Sequence, residues 1–276
     1  MPSSALTRAA EGHAATDEVT GTIAVMTRLP DAVSAQRDYY ARTASDYDTM
    51  HEKGEHYDAL RHAAIYMRAI GAQSALDTGC GTGMAMLYLE QQIDGLRMRG
   101  NDPSAALLGV ATDRHGIPSE QLDCVSSERL PYEDGAFDAV VETGMLHHTP
   151  EPQRVVAEML RVARKAVFIS DSNIYGQHGS SVTARALKLA LARAGLLRPL
   201  LRRMRGGHDW YFNDGDGVAW SYSVFDSLPL VRASCAEVVV VPTGNKRRLA
   251  DACPILYASH CLIAGFKQPL VGSDAR

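Results

Sequence analysis

Ala75–Leu76–Asp77–Thr78–Gly79–Cys80–Gly81–Thr82–Gly83 begins as a short apolar run and ends in three glycines at alternate positions. A strand that runs into glycines lets the backbone turn tightly and approach a ligand without interference from a Cβ. Met84–Gln91 then follows with helical periodicity, so the unit is strand, glycine loop, helix. A second strand over Leu96–Asn101 leads into Asp102–Pro103–Ser104. Asp102 thus stands at the end of the next strand, where a carboxylate can accept from both hydroxyls of a ribose.

These features together point to a ligand containing a nucleoside. The residues alone leave NAD(P) and FAD open, but the loop is GxGxG rather than the GxGxxG of dinucleotide sites, and Asp77 stands at its entry. A pyrophosphate seated on the following helix N-terminus would be repelled by that carboxylate. An ammonium or sulfonium group would be attracted to it, so the loop favours a cationic ligand.

Outward from the loop, the chain alternates strand and helix as in a mainly parallel sheet covered on its faces. The pattern predicts helices over Ser104–Thr112 and Pro152–Val162, and strands over Leu122–Ser126, Ala136–Glu142 and Ala166–Asp171. Residues 180–204 read as one or two helices, 206–223 as an aromatic loop without period, and Val224–Ala233 as a helix. Strands over Glu237–Pro242 and Ser259–Phe266 lie close in sequence, which predicts an antiparallel hairpin at one sheet edge. Upstream, two helical segments occupy 34–71, closed by Gly71. The expected organisation is a flexible leader over 1–33, a single domain over 34–268 with an insertion at about 176–233, and a tail over 269–276.

The formal net charge is −4 with no long Lys/Arg run, which argues against a nucleic-acid partner. No apolar run approaches the length of a membrane span. The five cysteines (80, 124, 235, 253 and 261) form no CxxC pair, so a reduced, cytoplasmic protein is expected. No His/Cys/carboxylate cluster has convincing ligand spacing, so no metal is expected.

Asp77–Thr78–Gly79–Cys80–Gly81–Thr82–Gly83 resembles the first motif of the class I S-adenosylmethionine-dependent methyltransferases. The likeness continues through Asn101–Asp102–Pro103–Ser104, Glu128–Arg129–Leu130–Pro131–Tyr132, Asp134–Gly135–Ala136–Phe137–Asp138 and Leu146–His147–His148. It covers about residues 36–172 and the two closing strands, and is similar to the ubiquinone/menaquinone-type and small-molecule group. The resemblance implies an α/β, Rossmann-like fold with a mostly parallel seven-stranded sheet, an antiparallel edge hairpin and helices on both faces. It implies S-adenosylmethionine as cofactor, with Gly79, Cys80 and Gly81 beneath the methionine part and Asp77 near its ammonium. Asp102 would hold the ribose and Pro103 flank the adenine. Ser126–Ser127 stand where the family often carries an Asp for the adenine amino group, so that contact loses its charge assistance. Tyr39–Tyr40 with Tyr47–Asp48 resembles the family's cofactor-covering segment, which adds Tyr40 and Tyr47 to the site.

The acceptor is expected at the carboxyl edge of the sheet, after Glu142–Thr143. His147 and His148 are the candidate bases there, because imidazole titrates near neutral pH. Asp171, Asn173, Tyr175 and His178 follow the fifth strand, while Trp210, Tyr211, Trp220 and Tyr222 offer an aromatic wall. The expected partner is a small-molecule substrate in specialised metabolism. A peptide or RNA acceptor, a non-catalytic cofactor-binding subunit and a fold relative using another nucleoside remain open, as does the oligomeric state.

Overall fold

The computed structural model describes residues 32–50, 54–176, 181–246 and 249–270, so most of the expected leader and the last six residues lie outside it. Helix α1 (Ala32–Thr43) begins inside the stretch expected to be leader. It leads through a 3-10 turn to α2 (Tyr47–Met50) and α3 (Gly54–Ala69). The alternation follows: β1 (Ser74–Thr78), α4 (Met84–Gln92), β2 (Arg97–Asn101), α5 (Ala105–Asp113), β3 (Leu122–Asp123), β4 (Phe137–Thr143), α6 (Pro152–Val162) and β5 (Ala163–Ser172). The remainder is α7 (Val182–Arg193), α8 (Leu197–Met204), β6 (Trp210–Asn213), β7 (Gly217–Trp220), α9 (Leu228–Ser234), β8 (Glu237–Lys246), α10 (Pro254–Tyr257) and β9 (Ala258–Phe266).

One seven-stranded sheet runs in the order β3-β2-β1-β4-β5-β9-β8. Its first five strands are parallel, while β9 is antiparallel to both β5 and β8, as the sequence predicts. The chain moves outward from β1 to β3 and then returns to the other side of β1 with β4. Open α/β sheets bind ligands in the crevice at such a reversal, beyond the carboxyl ends of the strands.

Alternating side chains along each strand feed two cores. Ala75, Ala139, Val141 and Phe168 meet α3, α4 and α5 on one face. Leu76, Val140, Val167 and Ile169 meet α6 and α9 on the other. Burial on both faces is why these strands read as nearly continuous apolar runs.

Two expectations need correction. Residues 206–223 are not an irregular loop: Trp210–Asn213 pairs antiparallel with Gly217–Trp220, a separate two-stranded ribbon. Gly217 has φ 81°, and a Cβ there would collide with Gln36 and Tyr39 of α1, so the close packing of ribbon on helix requires glycine. The third strand is only Leu122–Asp123, because Val125 N–H folds back onto the Asp123 carbonyl.

Candidate functional site

The end of β1 builds the first half of the site. Asp77 is buried, and neither of its carboxylate oxygens has a hydrogen-bond partner. Burial, with Asp102 nearby, pushes its pKa up to about 8. A buried carboxylate without a donor is unfavourable unless a ligand supplies one. Gly79 turns the loop with φ 71° and donates its N–H to the Asn101 carbonyl at 2.8 Å. A Cβ at this position would fall 2.5 Å from Met145 Cγ. Asp102 accepts from Gly81 N–H at 3.0 Å and Ser104 N–H at 2.8 Å. Burial outweighs these two donors and holds its pKa near 6.

Asp102, Pro103, Ser126, Ser127, Tyr40 and Tyr47 share the lining of a cavity of about 280 Å³. An adjoining cavity of about 470 Å³ takes in Cys80 and Gly81, and Tyr47, Gly79, Thr143 and His148 line both. Asp77 and Glu142 line neither: Asp77 lies buried behind the glycine loop, and Glu142, beneath the turn after β4, accepts from the Met145 and Leu146 N–H groups. Tyr40 and Tyr47 pack edge to face with ring centroids 5.9 Å apart, covering the site from above. Burial raises both phenol pKa values. Asp48, the residue next to Tyr47, ties this cover down by accepting from Thr82 Oγ1 at 2.6 Å and pairing with His115 Nε2 at 2.7 Å. Thr82 and His115 were not singled out from sequence, since nothing local marks them as partners of Asp48.

The larger cavity extends to residues expected on the acceptor side. Asp171, wholly buried at the end of β5, pairs with His147 Nδ1 at 2.7 Å and accepts the His147 backbone N–H at 3.1 Å. Asp171 therefore fixes both the ring and the chain that carries it. His147 Nε2 points at Asp216 Oδ2, 3.3 Å away. His148 Nδ1 meets the Val218 carbonyl at 2.7 Å, and its Nε2 lies 3.4 Å from Asp216 Oδ1. The two rings are 3.9 Å apart, centroid to centroid. Burial opposes the charged form of His147, but Asp171 and Asp216 together lift its pKa well above the usual imidazole value. Burial and the charge on His147 lower the pKa of His148.

Of the other residues expected on the acceptor side, Tyr211 and Trp220 line this cavity. Trp210 packs instead toward α1 and lies beside His208 at 5.1 Å. Asn173, Tyr175 and Tyr222 are buried away from the cavity and serve the fold. Asn173 Nδ2 donates to the Ala258 and Ile255 carbonyls, Tyr175 OH donates to Asp226, and Tyr222 OH pairs with Ser227 Oγ. None of these three lines the larger cavity; their polar groups are spent on the fold instead. His178 lies outside the described residues.

Among the lining residues missed from sequence are Asp216, His56 and His260. His260 could have been found. Because β9 runs antiparallel, its start lies at the carboxyl edge of the parallel strands, and His260 pairs in register with Ser172. Asp216 carried no such signal, because the ribbon that presents it was not recognised.

A family model described as a methyltransferase domain matches residues 76–169. The chain is 29% identical over 105 residues to phthiotriol/phenolphthiotriol dimycocerosates methyltransferase of Mycobacterium tuberculosis, covering 38% of this chain and 39% of that one. It is 31% identical over 148 residues to methyltransferase GfsG of Streptomyces halstedii, covering 51% of each. The chain thus spans only about two fifths to one half of the length of these relatives. Among solved structures, magnesium protoporphyrin IX methyltransferase from Synechocystis with bound SAH superposes with a TM-score of 0.56 at 15% identity, over 86% of this chain and 100% of that one. The 1,6-didemethyltoxoflavin-N1-methyltransferase of Burkholderia thailandensis, with its substrate and S-adenosylhomocysteine bound, superposes with a TM-score of 0.51 at 17% identity, over 88% and 93%.

Proposed function

We propose that this chain, which carries a methyltransferase domain on the Rossmann-like sheet of the class I S-adenosylmethionine-dependent methyltransferases, transfers a methyl group from S-adenosylmethionine to a small-molecule acceptor in the histidine-lined cavity. The observation that carries the reading is the buried Asp77 carboxylate with no donor of its own, one loop away from Asp102. An ammonium or sulfonium fits the first, and ribose hydroxyls fit the second.

S-adenosylmethionine supplies the electrophilic methyl group, and the protein's own residues do the rest. The Gly79–Gly81 backbone, which lines the larger cavity, seats the methionine part, Asp102 accepts the ribose hydroxyls, and Pro103 with Ser126 and Ser127 borders the adenine. Tyr40 and Tyr47 close over the cofactor and exclude water. On the far side, Tyr211 and Trp220 hold the acceptor against the methyl donor, which is the alignment a direct displacement needs. The acceptor's proton is taken at His148, the ring whose pKa is lowered and whose Nδ1 is committed to the Val218 carbonyl, while Asp171 holds the charged His147 beside it.

An acceptor of specialised metabolism is supported by the likeness to methyltransferases of phthiotriol dimycocerosates and of 1,6-didemethyltoxoflavin. A cytoplasmic setting is supported by five cysteines that form no disulfide. No helix among the described residues is long and apolar enough to cross a membrane.

The test is incubation of the purified chain with methyl-labelled S-adenosylmethionine and host extract, fractionated beforehand into metabolites, protein and RNA. Label in the metabolite fraction is the expected outcome and delivers the product for identification. Label in protein or RNA replaces the acceptor class, and cofactor binding without label anywhere points to a non-catalytic binding subunit.

A further inference from the structure

His147, His148 and Asp216 converge on one patch of the larger cavity. One ligand atom from each falls within 4.8 Å of the other two. The contacts of Asp216 with the two Nε2 atoms measure 3.3 and 3.4 Å. A tetrahedral ion bound at about 2.0–2.1 Å holds neighbouring donor atoms about 3.3 Å apart. Each Nε2 stands at that spacing from its own Asp216 oxygen, Oδ2 for His147 and Oδ1 for His148, and both separations exceed a strong charge-assisted hydrogen bond of about 2.7–2.9 Å.

The surroundings of the two rings agree. A metal-binding histidine usually gives its other ring N–H to a carboxylate or a backbone carbonyl, which fixes the tautomer and aims the free nitrogen. His147 commits Nδ1 to the buried Asp171 carboxylate, and His148 commits Nδ1 to the Val218 carbonyl. Neither acceptor can donate, so each ring carries its hydrogen on Nδ1 and turns Nε2 toward Asp216. In neutral His148 this sets a lone pair facing a carboxylate oxygen 3.4 Å away. A cation between them converts that repulsion into coordination.

We propose that His147 Nε2, His148 Nε2 and a carboxylate oxygen of Asp216 bind one divalent first-row transition-metal ion at the acceptor end of the cavity. Imidazole donors select zinc, iron, cobalt or nickel over magnesium and calcium, which prefer all-oxygen sites. Three protein ligands leave a coordination position open toward the cavity, for water or an oxygen atom of the acceptor. With the ion bound, the imidazoles act as ligands, and acidification of an acceptor hydroxyl passes from them to the metal. Asp171 is then a positioning residue that touches His147 and not the ion. The site itself does not depend on methyl transfer.

The full chain, stripped with a chelator and dialysed, is titrated with Co²⁺ by visible absorption and with Zn²⁺ by calorimetry, with no cofactor or acceptor present. One ion per chain is expected, with the absorption of a low-symmetry cobalt site. Asp216→Asn and His148→Gln should each abolish stoichiometric binding. Asp171→Asn should weaken it about 10–100-fold, the loss typical when a supporting carboxylate is removed. Circular dichroism and a cooperative thermal transition establish that each variant is folded, and His148→Gln serves if Asp216→Asn is not. No stoichiometric ion in the native chain overturns the proposal. So does unchanged Co²⁺ binding in a folded Asp216→Asn protein, which would mark the ion as adventitious. Metal is read without turnover, so failure here leaves the methyl-transfer reading standing, and an inactive protein that binds the ion leaves the site standing.

Discussion

Asp77 and Asp102 are two carboxylates in one loop system with different partners. Asp102 has two backbone donors and sits near pKa 6, whereas Asp77 has none and sits near 8. A carboxyl whose pKa is raised on folding binds its proton more tightly in the folded state than in the unfolded chain. Its burial therefore costs nothing below the ordinary carboxylate range and destabilises progressively as pH rises toward 8. Asp77→Asn should match the native chain in melting temperature only near pH 3, already exceed it at pH 5, and exceed it increasingly up to about pH 8, in the absence of ligand. A difference that does not change with pH would remove the unpartnered carboxylate from the account. The same variant should bind S-adenosylmethionine more weakly, since the neutral amide no longer attracts an ammonium. Asp102→Ala should weaken binding by about 2–4 kcal/mol by calorimetry, because ribose hydroxyls lose a charged acceptor. The places of both aspartates were legible in the sequence, because each stands at the end of a parallel strand. Asp216 and His56 were not, because they arrive from segments that no strand–loop–helix pattern brings to this edge.

At the scale of elements, the sheet was readable and the ribbon was not. Each parallel strand is flanked by a helix and a turn, and that alternation survives in the sequence as a change of period. The ribbon offers Trp210–Tyr211–Phe212 in succession, with no alternation of apolar and polar residues. Both of its faces are engaged: Phe212 packs edge to face with Tyr39 at 6.1 Å, while Tyr211 lies under Arg205 at 4.5 Å and lines the cavity. Gly217 gives the packing a test. Gly217 and Gly195 both have positive φ, at 81° and 72°, but a Cβ at Gly195 would meet nothing, whereas one at Gly217 would strike α1. Each alanine substitution should cost about 1–2 kcal/mol for the left-handed backbone. Gly217→Ala should cost clearly more than Gly195→Ala in urea denaturation, and should raise KM for the acceptor through a displaced ribbon. Equal losses would mean that α1 yields without resistance.

For the whole molecule, the site is a closed assembly of parts: the sheet edge below, α1 and α2 above, and the ribbon at the side. A ligand that fills both cavities touches all of them and binds only the folded chain. S-adenosylmethionine at 100 times its dissociation constant should stabilise the protein by about 2.7 kcal/mol, seen as a higher melting temperature. NAD at the same concentration should give no shift, and an equal shift with NAD would return the loop to the dinucleotide class. The closure rests on contacts across long reaches of chain. Gln36 Oε1 accepts the Val218 N–H across 182 residues, and this bond fastens α1 to the ribbon. Translation delivers α1 well before the ribbon. Until the ribbon is made, the growing chain holds a helix with an unmatched apolar side and a half-built binding cleft. Competence for the ligand is acquired only when the ribbon folds back onto the helix that has been waiting for it.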